Sequence, residues 1–314
     1  MAITVLASAC AVVSAILCGG RIVAQATPAP AIAQRDNSAL TDPCGGYQEL
    51  LKKYLSASPC VFVRGQASVQ ATYSGTNVPI VYTHSAHGRS VTWTEFSHTF
   101  GYPGALINLG VTPSSQITVV LPSFSQVAST QSGTVAGSSD MEFRYKQLVY
   151  WNRKGGILGG ILATYKAPTG SPGLTAEAPS YEINPLLNVA LNKARSIAEN
   201  VSFPVTNAPP ANPGGPRTWC FSPQAVTVYR SPGGTLMAII GQYSFCTHVT
   251  YLTLNTAQLL SRNFQLQATY GGNDSAVDYA SPVEGVGPAS GTAYARSFTV
   301  GISYLMGHSE VPPP

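Results

Sequence analysis

Charge is what this 314-residue chain has least of: Asp, Glu, Lys and Arg make up 10%, against about 25% in ordinary soluble domains. The 17 basic and 13 acidic residues leave a formal charge of +4. They form no Lys/Arg cluster to follow a phosphate backbone, so no nucleic-acid partner is expected. Hydrophobic residues reach only 44%, and no series of apolar runs of about 20 residues follows the first segment, which excludes a helical membrane protein. No GxSxG, HExxH or phosphate-binding loop is present, so no enzyme and no cofactor are expected. No Cys/His spacing supports a metal site. His84 and His87 read as solvated loop residues, and Asp274 and Asp278 are too few for an oxygen-ligand site. The 16 tyrosines and the scarcity of charge runs argue against disorder.

The chain is instead rich in Gly (30), Pro (24) and uncharged polar residues. Residues 2–20 form the longest apolar stretch, and Ala24-Gln25-Ala26 fits a small-x-small cleavage site. Residues 1–26 therefore read as a secretory signal peptide, although no Lys or Arg precedes the apolar run. The alternative is an uncleaved membrane anchor. Residues 27–42, rich in Ala, Pro and Gln, read as a flexible lead-in.

Four cysteines remain beyond that leader: Cys44, Cys60, Cys220 and Cys246. An even number in an exported chain points to disulfides. Three pairings are possible on counting alone. Ser231-Pro-Gly-Gly234 separates two extended runs, and folding them as a hairpin brings Cys220 opposite Cys246. Cys44 then pairs with Cys60, closing a segment (43–61) whose apolar residues at 47, 50, 51, 54 and 55 have helical spacing. That segment is expected to plug a barrel or to sit at its mouth.

From residue 62 onward the period is two. Met141, Phe143, Tyr145, Val149 and Trp151 alternate with Glu142, Arg144 and Lys146; Phe298, Val300, Ile302, Tyr304 and Met306 alternate with Thr299, Gly301 and Ser303. Such alternation marks strands with one apolar face. Twelve are expected: 63–73, 103–112, 115–123, 139–151, 156–166, 179–191, 196–205, 217–230, 235–246, 249–260, 263–271 and 293–306. Short turns alternate with longer polar connections at 74–102, 124–138, 167–178, 206–216 and 271–292, as in transmembrane barrels. Segments 79–84 and 91–98 also read as extended, forming an extra hairpin within the first long connection. The competing fold is a secreted β-sandwich. Its wet face would carry many Lys and Glu, whereas here that face is Ser, Thr, Gln, Asn and Gly, and the apolar face gathers Tyr and Trp near strand ends. The expected fold is all-β, an antiparallel up-and-down transmembrane β-barrel of about 12 strands over residues 62–307. A short N-terminal helix precedes it and a tail, 308–314, follows.

Residues 44–306 resemble the outer-membrane β-barrel family named for meta-pathway phenol degradation, a transporter-like group of Gram-negative bacteria. The resemblance lies in Phe100-Gly-Tyr-Pro-Gly-Ala-Leu-Ile-Asn-Leu-Gly-Val-Thr-Pro113, Ile161-Leu-Ala-Thr-Tyr-Lys-Ala-Pro-Thr-Gly-Ser171 and Leu259-Leu-Ser-Arg-Asn-Phe-Gln-Leu-Gln-Ala-Thr-Tyr-Gly-Gly272. It implies an outer-membrane location, insertion by the outer-membrane assembly machinery, and passage of small aromatic or hydrophobic solutes. It supplies no motif of functional residues. The tail His308–Pro314 departs from the aromatic strand terminus usual in such barrels.

A charge facing lipid at mid-depth costs about 2–4 kcal/mol. Arg64, Glu142, Arg144, Lys146, Lys166 and Glu182 are therefore the expected lumen-facing candidates, either as paired struts or as an electrostatic filter. Three functions compete. The first is a channel or uptake barrel for small molecules in the outer-membrane bilayer. The second is a structural or surface-recognition barrel that transports nothing. The third is an outer-membrane lipid hydrolase, for which Ser244 and His248 are the single suggestive pair.

Overall fold

Side chains with two alternating characters force the strands of this chain to choose an inside and an outside, and the choice is opposite to that of a soluble protein. Along the last strand Phe298, Val300, Ile302, Tyr304 and Met306 are 38–46% exposed, while Ser303 and Leu305 are 1% exposed. The same inversion holds elsewhere: Gln265, Asn108, Asn184 and Asn200 are at most 2% exposed, whereas Ile183, Leu187, Leu266 and Leu254 face outward. Apolar residues outside and amides inside exclude the sandwich, whose core would be the apolar face.

The structure, a computed structural model, describes residues 57–306 apart from 87–88, 130–132, 153–155, 173–174, 176–177, 193–196, 209–216, 231–234, 247–248, 262 and 280–288. The expected leader, lead-in, N-terminal helix and tail lie outside the described residues. All described residues belong to one unit within 36–314.

Sixteen strand segments are present: β1 (Ala67–Ala86), β2 (Arg89–Thr112), β3 (Ser115–Leu121), β4 (Phe124–Ser129), β5 (Gly133–Ser138), β6 (Met141–Asn152), β7 (Ile157–Ala167), β8 (Ser180–Asn192), β9 (Ile197–Ser202), β10 (Val205–Ala208), β11 (Thr218–Phe221), β12 (Gln224–Arg230), β13 (Leu236–Ser244), β14 (Val249–Leu259), β15 (Phe264–Tyr279) and β16 (Ala289–Met306). Twelve of them close a ring of antiparallel pairs: β1-β2-β3-β6-β7-β8-β9-β12-β13-β14-β15-β16 and back to β1. Closure removes both sheet edges, so the ring's backbone N–H and C=O groups pair without water. At the strand spacing and tilt usual for barrels, twelve strands give a backbone radius of roughly 12 Å.

The other four segments are the upper parts of broken strands. β3 continues as β4 across Pro122, β9 as β10 across Pro204, and β11 runs into β12 across Pro223. Proline lacks the N–H a central ladder needs, so the ladder is interrupted there. Bonds across the breaks keep the wall continuous: Ser139 N–H donates to Ser123 O at 2.8 Å, Ser222 N–H to Pro204 O at 3.0 Å, and Tyr243 N–H to Pro223 O at 3.1 Å. The upper hairpins β4–β5 and β10–β11 pair with β2 and β8 respectively.

Several connections expected as long loops are strands. The 74–102 stretch is not a loop with a separate hairpin: β1 and β2 run through it in continuous register, Ile80 opposite Glu95 and Ala86 opposite Arg89. The 271–292 stretch likewise carries the tops of β15 and β16, paired from Tyr279 and Ala289 downward. Gly, Pro and His in these stretches weaken the local signal, but paired neighbours supply the hydrogen bonds. β1, β2, β15 and β16, with 20, 24, 16 and 18 residues, far exceed the 9–11 that span a bilayer. They form a wall that rises past the others at the long-connection end.

Outward aromatics form two tiers. Phe264 and Tyr304, 4.8 Å apart, lie near the short-turn end. Phe143, Tyr165 and Tyr181 form a ladder across β6, β7 and β8, with centroids 6.5 and 5.4 Å apart. Phe203, Phe221 and Phe245 continue that upper tier. Paired girdles flanking an apolar band are the mark of a barrel that sits in lipid.

The Cys220–Cys246 disulfide is formed. It follows from the β12–β13 register, since continuing Gln224↔Gln242 up both strands sets the two cysteines opposite each other. Cys60 is also disulfide-bonded, while its expected partner Cys44 lies outside the described residues.

Two outcomes test this architecture. Val300→Arg, which sets a charge on the outward band, should destabilise the barrel by about 2–4 kcal/mol, read as a lower denaturant midpoint in detergent. Cys220→Ser should lower stability by about 2–4 kcal/mol while leaving the barrel folded, read by heat-modifiable gel mobility with and without reductant.

Candidate functional site: the lumen and its plug

Residues 57–63 are the most deeply buried stretch of the chain: Ala57, Ser58, Cys60, Val61, Phe62 and Val63 are 0–7% exposed. They cross the barrel interior at the short-turn end, and Val63, expected to begin the first strand, belongs to this crossing; β1 begins at Ala67. Their run of apolar residues from Cys60 to Val63 has no polar alternation, which is the mark of burial on every side. A tight turn at Arg64–Gly65 then returns the chain to β1, with Gly65 at φ 84°, a conformation glycine adopts without strain. In that turn Gln66 N–H donates to Val63 O at 3.0 Å, and Arg64 N–H to Thr112 O at 3.1 Å.

The segment touches the wall all the way round. Ala57 packs against Val226 and Val228 of β12, Leu236 and Ala238 of β13, and Ala257 of β14. Cys60 packs with Leu148 of β6 and Leu158 of β7. Phe62 packs with Leu305 of β16 and Leu259 of β14. These apolar residues occupy inward register, and they cluster where the plug seats. Burying Phe62 alone is worth about 1.5–3 kcal/mol.

Two glycines make room. A Cβ on Gly110 of β2 would overlap the Val63 carbonyl oxygen, and one on Gly160 of β7 would stand 2.9 Å from Pro59 Cβ. Three side chains hold the plug's backbone. Val63 N–H donates to Gln66 Oε1 at 3.2 Å. Phe62 N–H donates to Gln116 Oε1 at 2.9 Å, and Lys146 Nζ donates to Cys60 O at 3.2 Å. Gln116 is itself aimed by a buried network: its Nε2 donates to Asn108 Oδ1 and Thr118 Oγ1, both at 3.0 Å, and Asn108 Nδ2 donates to Ser68 Oγ at 3.0 Å.

Charge in the lumen is confined to one wall. Among the described side chains in inward register, every charge lies on β6, β7 and β8 or just before β6. Glu142 pairs with Arg144 on the same face of β6. Lys146, 3% exposed, holds the plug. Lys166 of β7 lies 3.7 Å from Asp140, whose other oxygen accepts Gly170 N–H at 2.8 Å and pins the β7–β8 connection. Glu182 of β8 accepts Thr206 Oγ1 at 3.2 Å. Arg64 is not on the wall: it is exposed in the turn below β1. The facing wall, from β12 to β16, offers Gln224, Gln242, Thr253, Thr269 and Ser303 beside Ile240. Ser244 ends β13 buried, and His248 lies outside the described residues.

Sequence patterning missed Asp140, Gln116, Gly110 and Gly160. Gln116 follows the same alternation as Thr118, but nothing local distinguishes an amide that binds a plug from one that meets water.

Neither a protein-family model nor a curated protein sequence matches the chain. Among solved structures it is similar to the COG4313 outer membrane channel from Pseudomonas putida F1, with a TM-score of 0.55 and 13% identity over 78% of this chain and 97% of that one. It aligns more loosely with the P. putida toluene transporter TodX, with a TM-score of 0.43 and 8% identity over 88% and 95%. The fold is that of an outer-membrane β-barrel.

Gln116→Ala leaves the buried Phe62 N–H without an acceptor, a cost of about 1–3 kcal/mol. Backbone amides of residues 57–63 should then exchange with deuterium roughly tenfold faster or more, while those of β14–β16 keep their protection. Uniform loss of protection would contradict a local role.

Proposed function

We propose that the chain is an outer-membrane channel for small molecules, shut at its short-turn mouth by its own residues 57–63. One observation carries the reading: a closed barrel of roughly 12 Å backbone radius with a polar interior is crossed, among the described residues, by one extended segment. That segment is held by apolar packing, three side-chain bonds to its backbone and two glycine recesses. A wall needing only to be stable would fill its lumen with its own side chains, as eight-stranded barrels do. In this reading residues 1–26 direct export, residues 27–42 lead in, and the assembly machinery inserts the barrel.

The solute class proposed is small and largely uncharged, including aromatic and hydrophobic compounds. The β12–β16 side of the lumen supports it, being neutral among the described side chains and carrying Val226, Val228 and Ala238 near the plug. Glu142 pairs with Arg144, Asp140 with Lys166, and Lys146 holds the plug, so the charged wall acts chiefly as a strut. No described group of His, Cys, Asp and Glu forms a metal site, and we read the protein as a channel rather than an enzyme.

A second reading, a surface-recognition barrel that transports nothing, draws on the tall β1–β2–β15–β16 wall. The two separate in planar bilayers. Wild-type protein should show a small conductance. Gly110→Val, which drives a side chain into the plug's path, should raise it several-fold and speed the uptake of apolar aromatics over sugars of equal size. Equal, negligible conductance in both proteins, with no solute uptake by either, would favour the second reading.

A further inference from the structure

The outer surface holds a feature that solute passage does not use. Two described arginines stand at the outward aromatic tier: Arg217, just before β11, with its guanidinium over Tyr181, and Arg296, on β16 itself. A charge at mid-depth in lipid costs about 2–4 kcal/mol, falling to about 0–1 near the interfaces. Arg296 lies eight residues above Tyr304 on β16. That is about 27 Å along the strand and about 20 Å in height at the usual tilt. It therefore stands at the upper aromatic tier, on the long-connection side, which faces the outer leaflet.

The guanidinium borders a groove of about 180 Å³ whose walls include Asn77, Phe100, Tyr270 and Phe298. Two outward glycines lie beneath two of its lining side chains. A Cβ on Gly272 would stand 2.8 Å from Arg296 Nη1, so the arginine lies across it. The ring of Phe298 covers Gly75 in the same way. The arm is held in place: Nη1 donates to Ala295 O at 2.9 Å and to Asn273 O at 3.3 Å. A positioned guanidinium beside an apolar cleft, at headgroup height on a lipid-facing wall, has the chemistry of both ends of a phosphorylated lipid. Arg forks match phosphate oxygens two at a time, and the aromatic walls suit the first acyl carbons.

We propose that this groove binds the phosphate of an outer-leaflet lipid, with the lipid's first acyl carbons lying against Phe100, Tyr270 and Phe298. The proposal rests on the outer-membrane placement given above but not on any solute. It is tested on the full barrel in detergent by native mass spectrometry, with lipid A and its dephosphorylated form as probes. Wild type should bind lipid A about tenfold more tightly than the dephosphorylated form. Arg296→Gln should abolish that preference, Arg296→Lys should keep part of it, and Gly272→Leu, which displaces the arginine lying across it, should weaken binding of both lipids. Equal binding of the two lipids by wild type, or an unchanged preference in both Arg296→Gln and Gly272→Leu, overturns the proposal. Bilayer insertion of the same preparation separates the causes. A barrel that fails to insert sinks the membrane placement and this site with it; one that inserts and shows no lipid preference sinks this site alone.

Discussion

Backbone hydrogen bonding without water is the constraint from which the rest of this structure follows. A strand with an open edge in lipid would leave a row of N–H and C=O groups unpaired, each costing several kcal/mol. β1 meets this demand by pairing with β2 on one side and β16 on the other, through most of its length. Once the ring is closed, side chains have only two places to go. The apolar set goes out to lipid and the amide and hydroxyl set goes in. The proline breaks obey the same rule, because each sits where a neighbouring carbonyl or hydroxyl takes over the interrupted ladder.

Closure creates a second demand, that of filling the interior. Residues 57–63 meet it with an apolar strip whose contacts lie where the inward face changes from amides to Val, Leu and Ala. Polar groups of the plug's backbone receive partners from Gln116 and Lys146. Lys146 thereby donates from its ammonium to a plug carbonyl, a charge-assisted bond of the stronger kind. Among the described side chains, inward charge is confined to β6–β8 and the residue just before β6.

Much of the fold was legible in residue order alone because the side-chain period of a strand is local. Each of the twelve expected strands corresponds to one barrel strand, and the Cys220–Cys246 pairing follows from counting outward from Ser231-Pro-Gly-Gly234. Other features depend on neighbours remote in sequence. The tops of β1, β2, β15 and β16 contain Gly, Pro and His that read as loop, yet each strand is held by the next. Residues 63–66 read as the first strand's start, but the strand's pairing begins only at Ala67. Glu142 and Arg144 share a face by parity, so their pairing could be read directly. Asp140 with Lys166 required the β6–β7 register.

Residue order by itself determined that this chain forms antiparallel strands with one apolar and one polar face, how many there are, and where the tight turns fall, since alternation and turn chemistry act over a few residues. Only the tertiary structure decided that the apolar face looks outward all the way round, that a seven-residue segment closes the mouth, and that Gly110, Gln116 and Lys146 meet it. Those outcomes depend on ring closure, which brings residues far apart in the chain within bonding distance.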